Sequence, residues 1–304
     1  MYGRGHFLNK LFNRITVLFL VTSSTVCFAQ EKINQTLLTS TTGTIFVDIP
    51  RGDIQIEGWD ESKVVVKGEL DDSTSKLIFK TKGENTLIKA DLEGKGYRGD
   101  ASQLTIVVPK QSKLRFKGID TSFDISKLNN DIEGKTISGN LILRNIKGQL
   151  KVSVVSGNIK VADSSGVAKV KSVSGNLSFT GEFEEALLKS MSGNIHADIS
   201  GTQKLAIKNV SGDTNVSGHV KNLAQISLSS VNGDIYYQAK GELNAQCQLV
   251  SQFGGEIDNQ LTKKSAVETS LHKKTLSFIS GDGSGTLILN TVTGSITIKK
   301  SKDK

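Results

Sequence analysis

The sequence predicts an all-β protein: a parallel β-solenoid, expected to be a right-handed single-stranded β-helix, with an N-terminal strand-rich capping region. One observation is a tripeptide whose glycines recur 18 residues apart, in Ser138-Gly139-Asn140, Ser156-Gly157-Asn158, Ser174-Gly175-Asn176 and Ser192-Gly193-Asn194. A fixed period of about 20 residues is typical of stacked repeats. The other is composition, since 30 Gly, 2 Pro and 6% aromatic residues favour strands joined by glycine turns.

The recurring tripeptide is interpreted as a tight turn rather than as a binding motif. Glycine supplies the positive φ that a tight corner needs. The neighbouring Asn or Asp can bond its own backbone, and amides stacked at about 4.8 Å can form a ladder. Arg51-Gly52-Asp53, which matches the integrin-binding tripeptide by letter, is interpreted as an earlier copy of this turn. The predicted structural turn residues are Gly52, Gly139, Asn140, Gly157, Asn158, Gly175, Asn176, Gly193, Asn194, Gly212, Asp213, Gly233, Asp234 and Gly255.

Aligning the copies on this turn produces columns of apolar residues. Two columns precede the turn, as in Leu150 and Val152, and two follow it, as in Ile159 and Val161. The position immediately before the turn is also apolar and holds Val155, Val173, Met191, Val210 and Val231. Polar residues lie between these columns. Each repeat is therefore predicted to contain at least two strands, with apolar positions inward and polar positions outward.

Residues 1–29 are predicted to be a secretory signal. Three basic residues precede an apolar stretch, 15–21, that is too short to span a bilayer, and cleavage is expected near Ala29. Lipidation at Cys27 is the alternative, but Val26 before it is bulkier than the Gly, Ala or Ser that such a site normally needs. Cleavage would lower the net charge from +8 to +5 and leave Cys247 without a disulfide partner.

The mature chain is expected to be one repeat domain with short additions. About nine rungs, meaning turns of the solenoid, would make a rod of roughly 40 Å. Its charges are spread along the sequence, so no nucleic-acid partner is expected. The lysine tail is expected to be solvated and to blunt the C-terminal edge of the sheet. The predicted segments are a polar leader at 30–42, an N-terminal β region at 43–117, the solenoid repeats at 118–298 and a basic tail at 299–304.

Neither a catalytic, a cofactor-binding nor a metal-binding constellation can be picked from the sequence. The glycine loop at 93–100 is too irregular to be a phosphate cradle. The segment 281–285 resembles one copy of a calcium-binding glycine–aspartate repeat, whereas such sites are built by tandem copies. His196 is expected on an outward face, and His219 and His272 in loops, too scattered to form a metal site.

Several segments together resemble a family of exported bacterial proteins that are named putative adhesins and carry a β-strand repeat domain of unknown function. These segments are Gly52–Asp60, Val64–Gly68, the strand 104–108 before Pro109, and the serial Ser-Gly-Asn/Asp turns. The resemblance covers residues 43–298. It implies a parallel, single-stranded β-solenoid located in the cell envelope. The family has no established catalytic residues, so the resemblance assigns none here.

Three functions are compatible with these features. The expected one is a non-enzymatic envelope protein in the periplasm or at the cell surface, adhesin-like or scaffolding, that binds an unknown envelope protein or glycan. The second is a polysaccharide-acting enzyme, which would need clustered carboxylates or basic residues on neighbouring rungs. The outward column that could hold them is mixed: Lys160, Ser178, His196, Asn215 and Tyr236. The third, an accessory to envelope-stress signalling, has no support in the residues.

Overall fold

In the computed structural model, the described residues are 32–92, 99–270 and 272–301, and they contain strands but no helix. They form one 22-stranded sheet. The predicted signal segment with Cys27 and Ala29, most of the glycine loop and residues 302–304 lie outside the described residues. The strands are β1 Lys32–Leu38, β2 Thr44–Asp48, β3 Arg51–Trp59, β4 Lys63–Glu69, β5 Thr74–Lys82, β6 Asn85–Leu92, β7 Ser102–Pro109, β8 Lys113–Lys117, β9 Asp120–Leu128, β10 Ile132–Ser138, β11 Leu141–Ser156, β12 Ile159–Ser174, β13 Leu177–Ser192, β14 Ile195–Ser211, β15 Thr214–Asn232, β16 Ile235–Ala239, β17 Ala245–Ser251, β18 Ile257–Asn259, β19 Val267–Ser270, β20 Lys273–Ser280, β21 Gly285–Thr293 and β22 Ile296–Lys300.

The central strands, β11 to β15, confirm the predicted parallel β-solenoid. Each long strand pairs in parallel with the next, so equivalent positions of successive repeats become neighbours. Ile159, for example, lies between Leu141 and Leu177. A second corner divides each long strand, with φ of 54° at Asn145 and 49° at Asp163. One repeat of the sequence is therefore one closed rung of the stack.

At both ends, the order of the rungs differs from the order of the chain. Strands β2 and β3 lie between β6 and β7 on one side and β8 and β9 on the other. Strands β21 and β22 likewise lie between β15 and β16 on one side and β17 and β18 on the other. Antiparallel strands cover both ends, with β4 on β7, β5 on β6 and β20 on β17.

The expectation that the lysine tail blunts the C-terminal edge is wrong. Lys299 and Lys300 belong to β22, which is an interior strand of the sheet. Strand β18 lies outside β22 in the stack, and the antiparallel pair of β19 and β20 lies outside β17 and covers that part of the end. An antiparallel cover replaces the parallel edge onto which another rung could add.

The core is a continuous file of aliphatic and phenylalanine side chains inside the rungs. The predicted inward columns are buried, with Leu150 and Val152 before the turn and Ile159 and Val161 after it. Residues two positions before the turn are also buried, but several of them are polar, including Thr136, Ser172 and Asn209. Their side chains lie beneath the turn, where Asn209 Nδ2 donates to the Gly212 carbonyl oxygen at 2.8 Å. This inner polar column was not predicted.

The apolar column immediately before the turn does not face inward, so that part of the burial prediction is wrong. Val155, Val173 and Met191 are exposed to 46%, 41% and 57%. Successive residues of a strand point to opposite sides. Because the residues four and two positions before the turn point inward, the residue one position before it must point outward.

The turn glycines adopt the positive φ that a tight corner needs, with one exception. The φ values are 140° at Gly52, 122° at Gly175 and 107° at Gly212. Near Gly255 the positive φ, 76°, belongs to Gly254 instead. Gly255 is needed for a different reason, since a Cβ there would lie 1.7 Å from the Gly294 carbonyl oxygen.

The Asn and Asp residues of the turns form a ladder that joins one rung to the next. Asn140 Oδ1 accepts a hydrogen bond from the Asn158 backbone N–H at 2.9 Å, and Asn158 Oδ1 accepts one from the Asn176 N–H at 2.8 Å. Asp213 and Asp234 continue the pattern with carboxylate oxygens. The ladder differs from the predicted contact between amides. It requires an acceptor oxygen, which explains why both Asn and Asp occur at this position.

Replacing Asn158 by Leu is expected to lower the free energy of unfolding by about 1 kcal/mol, because the Asn176 N–H loses its acceptor. Asn158→Asp keeps an acceptor oxygen and is expected to remain close to wild type. Urea denaturation of both variants measures the difference. Equal losses in the two variants would contradict the acceptor role.

Candidate binding face

Seven exposed apolar side chains form a row along one outer face of the solenoid. Their exposed fractions run from 41% to 57%. The strand register stacks the turn residues that follow them, so these side chains succeed one another at about 4.8 Å per rung. The apolar row consists of Ile119, Ile137, Val155, Val173, Met191, Val210 and Val231. It is a continuous aliphatic strip that faces solvent.

A lysine row runs beside the apolar row, two residues earlier on the same strands and on the same outer side. Lys135 pairs with Lys117, and Lys189 pairs with Lys171 on one side and Lys208 on the other. Serine occupies the other two positions of this row, Ser153 and Ser229. The lysine row consists of Lys117, Lys135, Lys171, Lys189 and Lys208. Lys151 and Lys169 stand in the next outward column and add to its charge.

Most of this charge is not neutralised within the protein. In the part of the chain that the structure describes, Lys135, Lys171, Lys189 and Lys208 form no ion pair, whereas Lys117 lies 3.5 Å from Asp48. The expectation of spread charges holds along the sequence but fails in space. Because the repeat places a lysine at the same position of successive rungs, folding collects them into one strip.

A shallow hollow of about 460 Å³ opens on this face near its N-terminal end. Glu133 lies in its wall and forms ion pairs with Lys151 and, at 3.8 Å, with Arg115. The hydrogen bond from Lys151, then its charge, holds the pKa of Glu133 below its usual range. Gly134 leaves room there for the Phe116 ring, since a Cβ on Gly134 would lie 2.2 Å from Phe116 Cε1. The hollow is therefore basic, with one carboxylate already paired.

The outward column that could hold the site of a polysaccharide-acting enzyme does stack from rung to rung, but its surroundings do not resemble a catalytic site. Ser178, His196 and Asn215 are successive neighbours in the register. Two carboxylates near this column are engaged in ion pairs: Asp124 with Arg144 and Asp198 with Lys240.

At the end of this column, the Tyr236 hydroxyl donates to Asp234 Oδ2 at 3.1 Å, and this hydrogen bond raises the pKa of Tyr236. Elsewhere, burial raises the pKa of the Cys247 thiol to about 12, so Cys247 is not a thiolate nucleophile near neutral pH.

Two other residues from motifs in the sequence, Arg51 and Asp282, form hydrogen bonds within the fold. Arg51 donates to Asp71 Oδ2 at 2.9 Å and to the Gly99 carbonyl oxygen at 3.0 Å, so its guanidinium is held within the fold. Asp282 Oδ1 accepts the Ser284 N–H at 2.9 Å. Across the described ranges, His, Cys, Asp and Glu residues form no group of three that could hold a metal ion. His219 lies in β15 rather than in a loop, and His272 lies in a turn.

The molecule is thus a capped parallel β-solenoid with one basic and apolar face. Residues 42–299 match the Toastrack DUF4097 family, and the chain belongs to that family. No match was found among curated proteins. No helix of the described residues has the length and apolar character needed to cross a membrane.

The solved structures to which this chain is similar include proteins from Bacteroides and Parabacteroides. A putative adhesin from Bacteroides fragilis is 14% identical, with a TM-score of 0.46, over 90% of this chain and 98% of that one. A putative adhesin from Parabacteroides distasonis is 14% identical, with a TM-score of 0.39, over 90% and 98%. A putative lipid binding protein from the same organism is 16% identical, with a TM-score of 0.39, over 89% and 97%.

The two rows were missed by sequence reasoning although the sequence contains the signal for them. Because successive side chains of a strand point to opposite sides, an inward-facing Val152 places Ser153 and Val155 on the outer side. Following the 18-residue period from Lys171 then leads to Lys189. Strand parity and the repeat period, used together, would have identified the face.

Proposed function

We propose that this protein is a non-enzymatic, exported envelope protein with an adhesin-like role, and that it binds a polyanionic partner through the lysine row. The observation that carries the proposal is the line of lysines without an acidic partner among the described residues, Lys135, Lys171, Lys189 and Lys208. Charges of one sign at a regular spacing attract an extended anion more strongly than scattered charges do. Export rests on the signal segment predicted at residues 1–29.

A single lysine on the surface would not support this proposal, because exposed charges are strongly hydrated and screened by salt. Here Lys171, Lys189 and Lys208 recur at about 4.8 Å, well within the Debye length of about 8 Å at physiological ionic strength, and Lys135 lies two rungs from Lys171. Each therefore adds to the potential of its neighbours, and their mutual repulsion is relieved when an anion binds. A partner with several negative charges along its length gains most from this arrangement.

Heparin, used as a soluble polyanion, tests the proposal. Lys171→Glu combined with Lys189→Glu is expected to weaken binding by about tenfold or more at low salt, with a smaller salt dependence than wild type. Lys160→Glu combined with Lys263→Glu is the matched control, because both lysines are exposed and lie off the lysine row. The control is expected to stay within about twofold of wild type.

The measurement is the dissociation constant over a range of NaCl concentrations, with thermal unfolding to confirm that both double variants are folded. Equal weakening by the two double variants would show that only the net charge matters. An absence of wild-type binding at low salt would overturn the proposal.

A further inference from the structure

We propose that the polyanionic partner is the surface of an anionic lipid bilayer, on which the protein lies with the apolar row inserted below the level of the phosphates. This inference rests on the proposed function, since the lysine row supplies the attraction in both. We choose lipid rather than a soluble polyanion because the apolar row runs beside the lysine row along most of the length of that row. A soluble polyanion accounts for the lysine row and leaves the apolar row in water.

The composition of the apolar row suits hydrocarbon. Its members are only Ile, Val and Met, and each remains 41% to 57% exposed in the described structure. Single-stranded nucleic acids are bound by combining positive charge with aromatic side chains on which bases stack. The apolar row contains no aromatic side chain. Aliphatic side chains in a continuous exposed strip mark a surface that is covered by another apolar phase.

The relative position of the two rows also matches a bilayer interface. Val173 follows Lys171, and Val210 follows Lys208, by two residues on the same strand, so the rows run side by side about 7 Å apart. The long aliphatic stem of lysine lets its ammonium group rise to the phosphates while the backbone approaches the acyl region. Charge toward anionic headgroups and aliphatic area toward the chains act together in interfacial binding.

The far side of the lysine row reinforces this pattern in the middle rungs. Leu187 and Ala206 occupy the outward positions two residues before Lys189 and Lys208. Both are partly exposed. In these rungs each lysine therefore stands between aliphatic neighbours. This part of the face, from Lys171 to Val210, is the predicted centre of the bilayer contact.

Co-sedimentation with vesicles tests the inference, using protein without residues 1–29, whose apolar stretch would itself bind lipid; the described sheet and core begin at residue 32. Wild type is expected to bind phosphatidylglycerol–phosphatidylcholine vesicles at least about tenfold more tightly than vesicles of phosphatidylcholine alone. Val173→Ser combined with Met191→Ser is expected to weaken vesicle binding by about tenfold while leaving heparin binding unchanged. Ile279→Ser, which removes an exposed aliphatic side chain outside this face, is the control.

The outcomes separate the two proposals. If wild type binds heparin but not anionic vesicles, or if the apolar-row variant binds vesicles as wild type does, the lipid assignment is overturned and the polyanion proposal stands. If wild type binds neither heparin nor vesicles, both fall. Lys171→Glu combined with Lys189→Glu is expected to weaken both kinds of binding, each by about tenfold or more.

A second measurement does not depend on a variant that binds vesicles more weakly. The same protein without residues 1–29 contains one cysteine, Cys247, which is buried. Val173→Cys adds an exposed thiol, so an environment-sensitive fluorophore attaches at position 173. Its emission is expected to shift to the blue when anionic vesicles are added, and the same label at Ile279→Cys is expected not to shift. An unchanged spectrum at position 173 on bound vesicles would overturn the insertion.

Discussion

Replacing Gly175 by Val is expected to lower the free energy of unfolding by about 3 kcal/mol or more. Two costs combine at this position. The φ of 122° is one that side-chain-bearing residues rarely adopt. A Cβ would also lie 2.2 Å from the carbonyl oxygen of Gly157, the equivalent residue of the preceding rung. Because that oxygen belongs to backbone, the two rungs would have to separate.

Gly83→Val is the matched control for this prediction. Gly83 has a φ of 59°, and a Cβ there would meet no heavy atom within 4 Å. It is therefore expected to show the conformational cost alone, about 1–2 kcal/mol. Guanidinium denaturation of both variants measures the difference. Equal losses would mean that the close approach of the rungs contributes nothing, and an unchanged Gly175→Val would refute the turn itself.

Replacing Asp71 by Ala is expected to cost about 3 kcal/mol, because it leaves the Arg51 guanidinium in a largely buried position without its carboxylate. The Asp71 side chain is only 1% exposed, and that of Arg51 is 21% exposed. Asp71 Oδ1 also accepts the Ser73 N–H at 2.7 Å. The carboxylate thus joins the first turn of the solenoid to the segment that follows β4.

Glu57→Ala serves as the control, since Glu57 forms an exposed ion pair with Lys127 at 2.6 Å. Pairs of that kind contribute less than about 1 kcal/mol. Chemical denaturation at low and high salt distinguishes the two sites, because the buried pair is screened less. Similar small losses at both sites would show that solvent replaces the Asp71 carboxylate.

The regular part of the fold could be predicted because it is local. The spacing of Gly157 and Gly175, with alternation on either side, determines where each strand ends and which rung it joins. The ladder atoms could not be predicted in the same way. Asn158 could bond its own backbone, another amide or the next rung, and only the distance between rungs selects the Asn176 N–H.

The order of the rungs at the ends could not be predicted either, because it depends on pairing between distant segments. Gly294 stacks on Gly233, whose carbonyl oxygen would lie 2.3 Å from a Cβ on Gly294. Nothing in the residues around Gly255 excludes the same neighbour. The face of paired rows differs in this respect. Strand parity and the 18-residue period from Lys171 to Lys189 together imply it, and the strand register makes these two lysines neighbours.

The interior position of β21 and β22 has a consequence for the time course of folding. Strand β17 pairs in parallel with β21, and β18 pairs with β22, so the segment 245–259 has no parallel neighbour until residues 285–300 are present. Assembly therefore cannot proceed rung by rung in step with synthesis or translocation of the chain. The segment from residue 245 onward must wait for the last strands and then close cooperatively, through contacts of long sequence separation that make folding slow.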